Sequence, residues 1–297
     1  MVKRKIIQLN NYSFIVTLPK DWTELNNLGK GDEIHLESRG NNHIIKGKED
    51  KDIETELDLR NIPHDIKWRY MVCAYRKGAS KVSVKYSNHE DVQSIMKFIP
   101  DLMGWAIVSQ DDEKIEIRDI MSIEDTNFDE MFRKVFLLII KLSEDVYDGI
   151  SSLNKKNLEK ISYSDYNINK FSNICLRILN LRGYTDNTNS LYMIMSNLEE
   201  IADEYRKIVL FYPPKEINKD LLDIFKKVND LLKLYYAIFY DLSKEKLLEF
   251  YNKADILLND FRKFKRKDIE ETKAYITLFT ILHMLKSLAE EKLVINS

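Results

Sequence analysis

Phe128-Asp129-Glu130-Met131-Phe132-Arg133-Lys134-Val135-Phe136-Leu137-Leu138-Ile139-Ile140-Lys141-Leu142 decides what kind of protein this chain makes. Phe128, Met131, Val135, Leu138, Leu142, Val146 and Ile150 step by three and four. That spacing puts them on one stripe of a helix; a strand would alternate them. The spacing returns in Leu191, Ile194, Leu198, Ile201, Tyr205 and Ile208, and again in Leu221, Phe225, Val228, Leu232, Tyr235 and Phe239. It breaks at 154–157, 182–189, Pro213-Pro214, 242–243 and 266–267. Six helices are therefore expected over 126–297. Loops this short make neighbours antiparallel, so two three-helix repeats are expected, 126–212 and 216–297.

The two halves also resemble each other. Asp165 and Asp255 each stand near the middle of a second helix. Leu198-Glu199-Glu200-Ile201-Ala202-Asp203 and Leu285-Lys286-Ser287-Leu288-Ala289-Glu290 occupy the third helices, at nearly the same offset, which reads as an internal repeat. Glu199 and Asp203 are four apart, hence on one helix face. Asp165 falls in the apolar register of Leu158, Ile161 and Ile168, where an unpaired carboxylate is costly. Two carboxylates one turn apart with a third across the seam could hold a hard metal ion. They could equally form a solvated pair on a charged helix.

Before the helices comes a segment with β character. Residues 56–122 read as a small α/β module: a helix over 65–76 stopped by Lys77-Gly78, a strand over 81–86, a helix over 89–102, and strands over 105–109 and 114–120. His64, His89 and Arg76 are its candidates for a small-ligand site, or else surface residues. The charged stretch 46–55 reads as a linker.

The first 48 residues are different again. Ser13-Phe14-Ile15-Val16-Thr17-Leu18-Pro19-Lys20-Asp21-Trp22 gives a strand stopped by proline and then a short helix. Leu28-Gly29-Lys30-Gly31-Asp32-Glu33-Ile34 turns the chain into further strands over 32–37 and 43–46. A strand over 5–9, led by Lys3, Arg4 and Lys5, precedes them. The head has eight Lys and Arg against five Asp and Glu, on a chain whose net charge is -2. A basic face on a neutral protein suits DNA binding.

Composition excludes several classes. Two cysteines in different segments, Cys73 and Cys175, make no thiolate metal motif or disulfide framework and fit a cytoplasmic location. No apolar run approaches the ~20 residues of a membrane span, so no membrane insertion is expected. There is no Gly-rich phosphate loop, no nucleophile elbow and no useful His/Cys pairing, so enzyme activity is not expected.

Arg4-Lys5-Ile6, Ser13, Leu18-Pro19-Lys20, Trp22 and Gly31-Asp32, in that order, resemble the AbrB/SpoVT swapped-hairpin DNA-binding domains. They are similar in particular to the copy at the front of archaeal PhoU-like phosphate regulators. The resemblance implies a head that folds only as a homodimer and sets Lys3, Arg4, Lys5, Ser13 and Lys20 against double-stranded DNA. The helical region resembles PhoU, a duplicated three-helix bundle with Leu-Glu-Arg-Ile-Gly/Ala-Asp on the third helix of each half. That implies one divalent or trivalent metal ion, such as iron, zinc or magnesium, at Glu199 and Asp203 with Asp165. The second copy departs from the pattern at Lys286 and Glu290, so Asp255 and Glu290 mark a degenerate site in which Lys286 could pair with Glu290. The expected architecture is multidomain and mostly α: an AbrB-type swapped-hairpin β domain (1–48), a small α/β module (56–122) and a PhoU-like bundle (126–297). The expected function is a dimeric transcriptional regulator of phosphate uptake. The alternative is an adaptor that docks on a phosphate transporter ATPase or a signalling protein and uses the head only to dimerise.

Overall fold

A computed structural model describes residues 3–39, 42–47, 53–121, 126–153, 155–184, 187–211 and 218–296. The protein is mostly helical, with small β-sheets towards its N-terminus. It divides into two compact units, 1–53 and 54–297.

In the first unit, β1 (Ile7–Asn10) and β2 (Ser13–Ile15) form an antiparallel hairpin with Ile7 opposite Ile15. The sequence suggests a strand through Leu18, but pairing stops at Ile15. The short helix α1 (Lys20–Leu25) begins directly after Pro19, whose missing N–H costs nothing at a helix start. Gly31, at φ +94°, makes the expected turn. A second antiparallel hairpin follows, β3 (His35–Arg39) with β4 (Asn42–Lys46). Among the described residues of 1–53 no side chain is buried, and Ile6, Leu9, Phe14, Leu25 and Leu36 stay between 65% and 78% exposed.

The second unit opens with β5 (Glu54–Asp58), which begins in the last two residues of the stretch read as linker and runs into the α/β module, where no strand was expected. Its Glu-Thr-Glu-Leu-Asp hides the strand, because the glutamates face outward and pair with Lys81 and Lys85 of the neighbouring strand. That neighbour is β6 (Lys81–Lys85), parallel to β5 and reached through α2 (His64–Lys77). After α3 (His89–Phe98) and one 3-10 turn, the hairpin of β7 (Trp105–Gln110) and β8 (Lys114–Asp119) completes a four-stranded sheet in the order β5-β6-β8-β7. Val82, Val84, Ile115 and Ile117 are fully buried on one face, and Lys81, Ser83 and Glu116 occupy the other, as a period of two requires.

Six helices follow: α4 (Phe128–Ser151), α5 (Lys155–Arg182), α6 (Thr188–Phe211), α7 (Lys219–Tyr240), α8 (Lys244–Lys263) and α9 (Ile269–Asn296). The expected breaks at 242–243 and 266–267 fall between helices; those at 154–157 and 182–189 overlap helix ends, since α5 already begins at Lys155 and α6 at Thr188, and Pro213-Pro214 lies outside the described residues. Asn127, Asn218 and Ser243 cap their helices through side-chain oxygens. At α9, Asp268 accepts from the Glu271 amide and Glu271 accepts from the Lys267 amide, an arrangement close to a capping box. α4, α5 and α6 pack together, and so do α7, α8 and α9; α6 on α9 and α4 on α7 join the halves. On α4 the buried face runs through Phe128, Phe132, Val135, Ile139, Leu142 and Val146. Met131 and Leu138 of the expected stripe sit at its edge, because α4 meets three other helices and its apolar sector is wider than one seam.

One polar chain crosses the join. The Tyr205 hydroxyl donates to Asn229 Oδ1 at 2.8 Å, and Asn229 Nδ2 donates to the Ser143 carbonyl at 2.9 Å. All three residues are buried. Burial pushes the Tyr205 phenol well up, so it remains a donor.

Candidate functional sites

The candidate nucleic-acid interface lies in the first unit. Because Ile7 pairs with Ile15, the segment Lys3, Arg4, Lys5 that enters β1 and the segment that leaves β2 towards Lys20 share the open end of one hairpin. Lys3, Arg4 and Lys5 are exposed. Lys20, at the first position of α1, is 85% exposed and stands 3.4 Å from Glu24 one turn later. An ion pair so open to water is weak and leaves the ammonium available to another anion. Ser13 opens β2 opposite Asn10 and is half-buried.

The bundle carboxylates are arranged differently from the expectation. Glu199 is bound by an arginine from the α/β segment: Arg76 Nη2 donates to its two oxygens at 2.7 and 2.6 Å. Asn173 Oδ1 of α5 accepts from Arg76 Nε at 2.8 Å and fixes the guanidinium from the other side. Asp203 lies 3.1 Å from Arg206, one turn further along α6. Arginines, therefore, are what the structure sets against both carboxylates, and no group of three metal-ligating side chains occurs among the described residues. This set fits a metal ion poorly. Asp165 lies on α5 between the buried Ile161 and Ile168, but its side chain is outside the described residues. Asp255 and Glu290 are exposed, and none of the described ion pairs joins Lys286 to Glu290.

The sequence reading missed the residue that holds the α/β segment to the bundle. Arg177 of α5 is 1% exposed. Its guanidinium donates to the carbonyls of Tyr75 (2.5 Å) and Ala79 (3.0 Å) and to Asp119 Oδ2 (2.6 Å), and it lies over the Tyr75 ring at 4.7 Å. Its Nε meets no acceptor among the described groups. The signal was a single charge inside Ile174-Cys175-Leu176-Arg177-Ile178-Leu179, since a lone arginine in a buried run needs acceptors from elsewhere. Gly78 completes the docking: at φ +99° it ends α2, and a Cβ there would lie 2.3 Å from Leu181 Cδ2.

Of the other small-ligand candidates, His64 stands 3.4 Å from the Ser94 hydroxyl and edge-on to Phe98. His89 lines a polar cleft of roughly 510 Å3 with Ser87, Asn88 and Asp111. The start of α3 there is already closed, because Asp91 accepts from the Ser87 amide and Asn88 accepts from the Asp91 amide. No helix among the described residues is long and apolar enough to cross a membrane. No protein-family model, curated protein or solved structure matches the chain.

Proposed function

We propose that the chain is a dimeric DNA-binding regulator whose first 48 residues contact the duplex and whose α/β segment and helices carry the sensing or docking surface. One observation carries the reading: a basic hairpin unit that buries none of its described side chains. So small a unit cannot stay folded with its apolar residues in water. A second copy, supplying the same exposed Ile6, Leu9, Phe14 and Leu36, completes a core by symmetry. Dimerisation then brings two sets of Lys3, Arg4, Lys5 and Lys20 to one DNA face, where they neutralise phosphates and set register. The resemblance to AbrB/SpoVT heads and PhoU-like bundles supports this reading and makes phosphate-uptake genes its target.

The second reading is an adaptor, in which the head only dimerises and the bundle docks on a transporter ATPase or a signalling protein. Fluorescence anisotropy across a salt series separates the two. The full-length protein is titrated onto its own upstream region, phosphate-transporter promoters and random duplexes. Salt-sensitive preference for the promoters supports regulation. No binding at low salt from a protein shown to be dimeric leaves the adaptor.

A further inference from the structure

A cleft of roughly 460 Å3 opens where α2 meets the bundle, lined by Cys73, Arg76, Lys77, Asn180 and Tyr192. Among the described residues that line it, two are cationic and none is a carboxylate. Arg76 is oriented in advance, since Asn173, 1% exposed, holds its Nε. The guanidinium already grips an oxyanion, the carboxylate of Glu199. Such charge-assisted bonding suits phosphate and sulfate as well as carboxylate. The C-terminal end of α2 would by itself repel an anion. Here Arg177 donates to the Tyr75 and Ala79 carbonyls at that end and offsets the repulsion.

The two arginines at this seam differ in one decisive respect. Arg177 is sealed from water and meets three acceptors. The Arg76 and Glu199 side chains are 23% and 22% exposed, so water and solutes reach the pair. One contact is a fixed pivot and the other can be exchanged. We propose that the cleft binds a small multivalent oxyanion, which competes with Glu199 for Arg76 while Arg177 keeps the α/β segment docked. Lys77 adds a second charge to the ligand's contacts and Tyr192 a hydroxyl. The exchange gives the bundle two states, with Glu199 bound to Arg76 or released. This inference does not depend on what the head binds.

The test is calorimetric titration of the full chain with inorganic phosphate, and separately with sulfate, against sodium chloride at matched ionic strength. Saturable binding of either oxyanion beyond the chloride effect is expected, and Lys77→Ala should weaken it several-fold. Glu199→Gln removes the internal competitor and should tighten binding by about fivefold, the scale of one partly exposed ion pair. If Glu199→Gln does not fold, Glu199→Asp draws the carboxylate back by one methylene and carries the same expectation. Binding no stronger than that of chloride, or weaker binding in the Glu199 variant, overturns the proposal. Salt-sensitive DNA binding by the same preparation, present or absent, leaves this result untouched, so the two readings fail separately.

Discussion

Replacing Arg177 with methionine tests the docking of the α/β segment most directly. Methionine keeps much of the volume and removes the charge. Three acceptors then lose a donor, but not equally. The Ala79 carbonyl still accepts from Trp105 Nε1 at 3.1 Å, and the Tyr75 carbonyl still accepts from the Gly78 amide at 2.9 Å. The cost therefore concentrates in Asp119, whose side chain is 11% exposed and whose Oδ2 has Arg177 as its cation. Stranding one partner of a buried ion pair costs about 3–5 kcal/mol. For a unit of this size that is a fall in melting temperature of roughly 6–20 °C. Arg177→Met combined with Asp119→Asn removes the stranded charge and should recover most of the loss, since buried pairs exchange for neutral groups at little cost. Thermal unfolding followed by circular dichroism, with urea midpoints as a check, reads both. A single variant that loses under about 1 kcal/mol, or a double variant at least as damaged as the single, refutes the account of Arg177 as an anchor made by Asp119.

Further expectations concern the head, the join between the halves and the acid limb. If a dimer sets two copies of Lys3, Arg4, Lys5 and Lys20 on phosphates, log affinity should fall with log salt at a slope of about -7, and Lys20→Ala should lower that slope by about 2 at every sequence; an unchanged slope takes Lys20 off the DNA. Asn229→Leu leaves the buried Tyr205 hydroxyl without its acceptor and should cost about 1–3 kcal/mol by urea midpoint, partly recovered by adding Tyr205→Phe; no recovery would mean the hydroxyl finds another acceptor. At Asp91, burial resists ionisation, yet the buried Lys67 ammonium and the Ser87 and Asn88 amides outweigh it and hold the carboxyl below its ordinary value. A depressed folded value means that the stabilisation is complete above the carboxyl's ordinary range and drains away as pH falls through it. The difference in melting temperature between the protein and Asp91→Asn should thus be constant at neutral pH and shrink below about pH 4; a pH-independent difference excludes the carboxylate as its source.

Three of the helices, α4, α6 and α7, were legible because each carries a long stripe whose spacing has only one interpretation. Leu191, Leu198, Tyr205, Leu221, Val228 and Tyr235 are all buried where period and register placed them. Gly78 marked the end of α2 for a local reason, a positive φ. β5 was illegible because an edge strand whose outward residues are glutamates looks like a charged linker until β6 supplies its lysines. The seam carboxylates were legible as a pair and not as to their partners. Arg76 lies 123 residues before Glu199, and no local pattern joins residues so far apart. Arg177 gave a stronger hint than either, since a charge in an apolar run demands an explanation on its own helix.

The carbonyls that Arg177 holds belong to the last turn of α2 and to the second residue beyond it, about a hundred residues earlier in the chain. The helix end is thus finished by a side chain that is synthesised much later. On a ribosome the α/β segment emerges with those carbonyls held by the Gly78 amide and Trp105 Nε1 alone, and gains the guanidinium only once α5 has been made and folded against α4. Long-range closure of this kind slows folding without weakening the finished state. The segment matures on the schedule of the bundle, and a chain stopped before residue 177 would leave it incomplete whatever the quality of its own sheet.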